Sequence, residues 1–328
     1  MRIKAAAPTR IDLAGGTLDL YPIYLFEDGG VTVNCAIDMY CTVTLESRSD
    51  EKIRLTSLDL GVEEQYDDVD SVSTYGALEI VSRAIKFFRP TTGLSVTTEN
   101  NVRQGSGLGA SSSLLMAALG ALNALMNSDY SFEQLIDFAA DMEAQCIRVP
   151  TGKQDYFAAM FGGVNALWFE VWGGKRECLL SDEDDIRELE NRLILSFAGA
   201  PRFSGATNWN IIRNYIDNTR RTVGGMKRIK EIAVAMHACI LERNWKEFAC
   251  IVDQEWQNRR TLAEGVTNET VDAIMCAARD AGALASKLCG AGGGGCMITC
   301  IEPGDRSKVE TDLTAAGAEV LPFRIVRD

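Results

Sequence analysis

The stretch Gly105-Ser-Gly-Leu-Gly-Ala-Ser-Ser-Ser113 decides how the rest of the chain is read. Three glycines at alternate positions permit a tight turn, positive φ and close approach of the backbone to a ligand. Hydroxyls follow at once, and Leu114 to Met126 then runs apolar and alanine-rich, built from good helix formers. The pattern is a glycine loop opening into a buried helix, whose first N–H groups are unpaired and carry partial positive charge. Such a helix start holds anions, phosphate above all. A Gly/Ser turn between two elements, with no ligand, accounts for the same residues.

Working outward, residues 94–100 (LSVTTEN) form a strand that feeds the loop. Downstream, Ser131 with Gln134 makes a capping box and starts a helix. At about 100° per residue, Leu135, Ile136, Ala139, Met142 and Cys146 share one apolar stripe, with Glu133, Gln134, Asp137, Asp141 and Gln145 opposite. Glu143 projects from the middle of the stripe. A carboxylate facing a core needs a cation, a metal or strong hydrogen bonds to stay ionised. A salt bridge to one of the 33 basic residues is the alternative. Val149-Pro-Thr-Gly-Lys-Gln-Asp155 is turn-prone and sets Asp155 where a loop re-enters packed structure.

Toward the start, residues 2–7 and 31–45 are strands, joined by a glycine-interrupted connection that carries Arg10, Asp12, Thr17 and Asp19. Residues 48–70 are expected to form a strand pair and 76–88 an amphipathic helix ended by Arg89-Pro90; a hairpin over 164–180 turns at Gly173-Gly174. The acidic segment near residue 183 marks the expected boundary between domains 1–183 and 184–328. The second half opens with a strand at 193–199, followed by helices to about 263 whose charged faces need no special explanation. A helix over 268–284 then enters Ser286-Lys-Leu-Cys-Gly-Ala-Gly-Gly-Gly-Gly-Cys296. The closing β-α-β run points to a split β-α-β, ferredoxin-like domain. The glycine run from Gly290 lets backbone approach another loop or a ligand.

Composition excludes several function classes. A net charge of −13 disfavours nucleic-acid and anionic-membrane partners, leaving phosphate binding to local geometry. No apolar run of about 18 residues occurs, and ten cysteines without a C-x-x-C pair suit a reducing, cytoplasmic compartment. His237 is the only histidine, so a Ser–His or Cys–His nucleophile or a multi-histidine metal site would rest on one residue. A general base here is expected to be a carboxylate.

No G-x-x-x-x-G-K-[ST] is present, which excludes a Walker-type loop. Gly105-x-Gly107-x-x-Ala110 satisfies a loose dinucleotide fingerprint. The strand with a terminal acidic residue demanded about 20 positions later is replaced by the Ser131-capped helix.

Three stretches together resemble the signature motifs of the GHMP kinases, the group of galactokinase, homoserine kinase, mevalonate kinase and phosphomevalonate kinase. They are Ala7-Pro-Thr-Arg-Ile-Asp-Leu-Ala-Gly-Gly-Thr-Leu-Asp19, Gly105 to Ser113, and Lys287-Leu-Cys-Gly-Ala-Gly-Gly-Gly-Gly-Cys296, in that order across nearly the full chain. The resemblance implies an α+β fold with an N-terminal domain like ribosomal protein S5 domain 2, a ferredoxin-like C-terminal domain and an active site between them. It implies ATP as phosphate donor, cradled by backbone of Gly105, Ser106, Gly107, Leu108, Gly109 and Ala110 with Ser111 and Ser112, and Mg²⁺ ligated by Ser111 and Glu143. Asp155 matches the aspartate that accepts the substrate hydroxyl proton, and Arg10 the basic residue beside it. Asp19, with Thr17 and Gly292, matches the acceptor-binding end.

The AGG-T-D form of the first motif, GKQD around Asp155 and KLCGAGGGG look most like the D-glycero-D-manno-heptose 7-phosphate kinase branch. They imply a sugar or sugar-phosphate acceptor, and Lys153, Arg148 and Arg202 are candidates to clamp its phosphate. A monomer or homodimer is expected. A non-sugar alcohol acceptor, or a catalytically silent nucleotide and sugar sensor, are the alternatives; the presence of Arg10, Ser111, Glu143 and Asp155 together argues against the second.

Overall fold

The computed structural model of the chain describes residues 1–199 and 204–328, with the backbone alone for 204–207. The first lobe runs β1 (Arg2–Ala14), α1 (Ile23–Phe26), β2 (Gly30–Ser47), β3 (Ile53–Ser57), β4 (Val62–Tyr66), α2 (Glu79–Phe88), β5 (Leu94–Asn100), α3 (Ala110–Leu125), α4 (Phe132–Ile147), α5 (Gln154–Phe161), β6 (Val164–Glu170) and β7 (Gly173–Leu180). The helix α6 (Glu183–Asn191) leads to the second lobe: β8 (Leu193–Phe197), α7 (Ser204–Ile216), α8 (Arg220–Leu241), α9 (Trp245–Arg259), α10 (Glu269–Asp280), β9 (Ala285–Leu288), β10 (Cys296–Cys300), α11 (Arg306–Ala315) and β11 (Glu319–Leu321).

Strand β1 is twice as long as its alternation predicts. It pairs antiparallel with β2 from Arg2↔Glu46 to Ala14↔Val33, so most of the first motif is strand rather than loop. Register shifts at Pro8/Thr9 and Asp12/Ala14 absorb the proline and the approach to Gly15; a bulge admits a residue that cannot donate to the ladder and re-aims its neighbours. β1 lies along one edge of β2. The other edge is shared by β5, against residues 41–47, and β6, against 30–35. Between them, at residues 36–38, the chain beyond β11 returns to the first lobe. The N–H of Asp38 donates to the oxygen of Arg324 and that of Val326 to the oxygen of Ala36, both at 2.9 Å.

The first lobe's seven strands carry helices α2 to α5, with an apolar layer that includes Val43, Leu55, Val96, Leu115, Leu122, Ile136 and Phe157. The second sheet has the order β11-β8-β10-β9, which in its own strand numbering is 4-1-3-2, the ferredoxin-like arrangement. The two lobes do not have separate cores. Ile11, Leu13 and Val33 of the first pack with Met236, Phe248, Cys289 and Ile298 of the second in one apolar cluster. We propose the division of the chain near residue 183, between β7 and α6.

Two local expectations change. The hairpin turns at Val171-Trp172, because Glu170 pairs directly with Gly173. The acidic segment after Asp182 is the helix α6, with Asp182 as its cap accepting from the N–H of Asp184 and Asp185. Carboxylates at a helix N-terminus favour the helix, so acidity there argues for an element rather than a solvated loop. Among the described residues no helix is long and apolar enough to cross a membrane.

Candidate active site

Gly105, Gly107 and Gly109 have φ of 75°, 73° and 78°, conformations that L side chains rarely adopt. Gly109 is the N-cap of α3 and supplies no capping side chain, which leaves the first-turn N–H groups of that helix uncapped. Ser106 and Leu108 are buried and Ala110 is half-buried. The oxygen of Ser106 accepts from the N–H of Cys296 at 2.6 Å. A Cβ on Gly290 would come within 2.9 Å of Gly107 Cα, so the third motif lies backbone to backbone against the second.

Arg10 ties the three motifs together. Its N–H donates to the oxygen of Leu108 at 3.0 Å, and its Nη1 donates to the oxygens of Gly107 at 2.7 Å and Cys289 at 3.3 Å. Its Nε stands 2.6 Å from Asp155 Oδ1; the N–H is not aimed along that line, so the contact is an ion pair. Burial acts to lower the Arg10 pKa, but Asp155 and Asp12 outweigh it and the guanidinium stays charged. Burial raises the Asp155 pKa while Arg10 opposes the rise. A carboxylate so held can accept a proton without a histidine nearby. The helix start is immediate to it: a Cβ on Gly109 would lie 2.7 Å from Asp155 Oδ2.

Glu143 is buried on the inner face of α4, as the stripe predicts, and the Ser131–Gln134 capping box is present. Its Oε2 accepts from Ser112 Oγ and from the Tyr156 hydroxyl, both at 2.6 Å. Burial raises the Glu143 pKa, and these two hydrogen bonds oppose it. Ser112 also lies 3.5 Å from Asp155 Oδ2. Ser111, one position earlier on the helix, is exposed but also reaches Glu143, whereas Ser112 is the hydroxyl set between the two carboxylates. Among the described residues no three His, Cys, Asp or Glu gather into a metal site. One carboxylate with serine hydroxyls is a hard oxygen set that suits Mg²⁺ when phosphates supply the remaining ligands.

Asp19 is buried and accepts from the N–H of Thr17 and of Gln154, each at 3.0 Å. A Cβ on Gly152 would come within 2.1 Å of Asp19, so the GKQD turn closes directly over it. Burial lifts the Asp19 pKa to about 6, despite the hydrogen bond from Gln154. The structure therefore brings Arg10, Thr17, Asp19, Gly105 to Ser112, Glu143 and Asp155 into one region. Gly292 is different: the nearest atoms to its Cβ position belong to the backbone of Val266. Of the expected phosphate clamp, Lys153 is engaged by Asp137 at 2.6 Å and Arg148 is exposed at the end of α4. Arg202 lies outside the described residues.

Two family models match the chain, the GHMP kinases N terminal domain over residues 74–163 and the GHMP kinases C terminal over residues 236–319. The chain belongs to the GHMP kinase family. It is 29% identical over 309 residues to a D-glycero-alpha-D-manno-heptose 7-phosphate kinase of Campylobacter jejuni, covering 92% of this chain and 90% of the relative. A crystal structure of a D-glycero-D-manno-heptose 1-phosphate kinase from Bacteroides thetaiotaomicron superposes with a TM-score of 0.81 at 25% identity, covering 100% of this chain and 97% of that one. Lactococcus lactis galactokinase, solved with galactose, shares the fold with a TM-score of 0.78 at 18% identity, covering 99% and 93%. As a GHMP kinase, the protein is an ATP-dependent phosphotransferase.

This GHMP kinase also has a buried charge cluster beside the site that reaches beyond the sequence motifs. Lys287 Nζ donates to the backbone oxygen of Asp12 at 3.0 Å and to its Oδ2 at 3.2 Å, and stands 3.4 Å from Glu255 Oε2. Arg259 Nε donates to Glu255 Oε1 at 2.6 Å. Lys287 and Asp12 fall inside quoted motifs, but Glu255 and Arg259 do not. Their signal was present: positions 248, 252, 255 and 259 share one stripe of α9, with the two charges in its apolar middle.

Proposed function

We propose that this GHMP kinase transfers the γ-phosphate of ATP to a hydroxyl of a sugar or sugar phosphate, with a heptose 7-phosphate-like acceptor favoured. The observation that carries the reading is the Arg10–Asp155 pair at 2.6 Å, set against the glycine-capped start of α3. Backbone of Gly105 to Ala110 and the first turn of α3 hold the donor phosphates, whose charge meets the helix dipole. Asp155 receives the hydroxyl proton as the hydroxyl oxygen adds to the γ-phosphorus and the bond from that phosphorus to the β–γ bridging oxygen breaks, releasing ADP; Arg10 keeps Asp155 ionised and faces the transferring charge. Glu143 with the hydroxyls of Ser111 and Ser112 would hold Mg²⁺, which would supply neutralisation of triphosphate charge.

Asp19 and Thr17 bind acceptor hydroxyls. Asp19 is coupled to the catalytic turn through the N–H of Gln154, so acceptor and base are aligned by adjacent residues. Catalysis of this kind is positioning plus electrostatics, and proton removal adds about 10²–10⁴-fold. The heptose-kinase relative that matches nearly end to end supports a sugar acceptor over a mevalonate-like one. The test is ADP release against a panel of hexoses, heptoses, their 1- and 7-phosphates, mevalonate and homoserine, with and without Mg²⁺. Turnover with a heptose phosphate and its loss in Asp155→Asn are expected; turnover with mevalonate or homoserine alone would overturn the acceptor class.

A further inference from the structure

We propose that Arg259, on α9 of the second lobe, is a positioning residue that holds the acceptor loop Gly16–Asp19 of the first lobe in its binding conformation. The proposal rests on Thr17 and Asp19 facing the acceptor. Arg259 is 2% exposed and spends its donors in three directions. Nη2 donates to the oxygen of Gly16 at 2.7 Å, Nη1 to Thr17 Oγ1 at 3.0 Å, and Nε to Glu255 Oε1 at 2.6 Å. A planar guanidinium can serve two loop acceptors while a carboxylate fixes its plane; an ammonium at the same place cannot.

The loop needs such a clamp. Thr17 has φ of 82°, which a β-branched residue adopts only where its surroundings over-determine it. Two contacts do so. Arg259 holds the side chain and the preceding carbonyl from the second lobe, and Asp19 Oδ1 holds the N–H of Thr17 from within the loop. Gly16 is packed as tightly, since a Cβ there would lie 2.5 Å from Asp12 Oδ2. Lys287, between Asp12 and Glu255, neutralises the carboxylate that aims Arg259. The phosphate loop, by contrast, is held by Arg10 and Cys296 and makes no contact with Arg259 among its hydrogen bonds. Acceptor affinity and nucleotide affinity should therefore separate.

The experiment is a double-mutant cycle of Arg259→Lys and Thr17→Val in the full chain, using the acceptor that turns over, with KM for acceptor and ATP, kcat and the melting temperature. Thr17→Val keeps the branched side chain and the Arg259–Glu255 pair. Each single variant should raise the acceptor KM about tenfold or more, the size of one charge-assisted hydrogen bond, with the ATP KM within about twofold. The double variant should fall clearly short of the product of the two singles, because both remove the Arg259–Thr17 contact, although Arg259→Lys also loses the Gly16 oxygen and Thr17→Val an acceptor contact. Additive effects, or parallel rises in both KM values with a lowered melting temperature, would overturn the proposal. Asp19→Asn separates the two ideas. An unchanged acceptor KM in that variant defeats the acceptor-loop reading itself; a raised one beside an unchanged KM in Arg259→Lys defeats only the role of Arg259. If Arg259→Lys does not accumulate folded, Glu255→Gln replaces it in the cycle, leaving Arg259 present but unaimed.

Discussion

Gly109→Ala is a one-carbon change whose cost can be worked from the structure. The added Cβ would sit 2.7 Å from Oδ2, 2.8 Å from Cγ and 3.1 Å from Cβ of Asp155. Carbon and oxygen approach no closer than about 3.4 Å without repulsion, so the carboxylate must withdraw by roughly 0.7 Å. It cannot do so freely, because Arg10 holds its other oxygen at 2.6 Å and is itself anchored to Gly107 and Cys289. A displacement approaching 1 Å at a reacting group costs on the order of 10² in rate. The φ of 78° adds about 1–2 kcal/mol of backbone strain to folding. Steady-state ADP release should show kcat down about 100-fold, and the melting temperature should fall by a few degrees. Gly120→Ala is the internal control. It lies in the same helix, nothing comes within 4 Å of its Cβ position, and alanine should stabilise it by about 0.5–1 kcal/mol. If Gly109→Ala keeps kcat within about threefold while its melting temperature drops as expected, Asp155 is not pinned at the helix start and its assignment as base fails.

Asp155→Asn should lose most of kcat with nucleotide affinity little changed, because the side chain meets Arg10 and Ser112 rather than the glycine loop's amides; an equal loss of ATP binding in a titration would contradict this. Glu143→Gln should raise the Mg²⁺ concentration needed for half-maximal rate, and an unchanged metal titration would reduce Glu143 to a partner of Ser112 and Tyr156. Asp19 gives a pH signature. Its folded pKa of about 6 lies above its ordinary 3.8, so the folded state holds the proton more tightly and stability falls as pH rises between those values. The loss is on the order of 3 kcal/mol for so buried a group. Asp19→Asn should remove it, and denaturant unfolding at pH 4 and 7 that shows the same mutant-to-parent difference would refute the shift. Gly290→Ala should raise the ATP KM by pushing its Cβ onto Gly107 Cα at 2.9 Å; an unaltered KM would mean the two loops part easily.

Much of the site was legible because it breaks local rules. Glu143 stands out as a charge in an apolar stripe, and the glycines mark backbone that must turn or approach closely. The same stripe argument applies to Glu255 and Arg259, but α9 also carries Lys246, Glu247 and Asp253 on its outer face, and a helix already rich in charge hides two more. The register of Ser111 and Ser112 was not legible. Adjacent residues differ by about 100° around a helix, and which one turns inward depends on where Gly109 ends the loop. The length of β1 was hidden by its own motif, since Pro8 and the glycines suggest a loop while only the pairing with β2 makes residues 8–14 a strand.

The return of residues 324–326 to β2 carries a consequence for how the molecule is made. Residues 36–38 sit between the stretches of β2 that β5 and β6 occupy, and their partners are synthesised 286 positions later, as the Arg324–Asp38 pair shows. Contacts of such separation close slowly and late. The first lobe thus leaves the ribosome with a notch in its largest sheet, and the same apolar seam that joins the lobes stays uncovered until α8, α9 and β10 arrive. Until those parts arrive the first lobe carries exposed apolar surface and an open stretch of sheet edge, the features that expose a chain to aggregation and to chaperones.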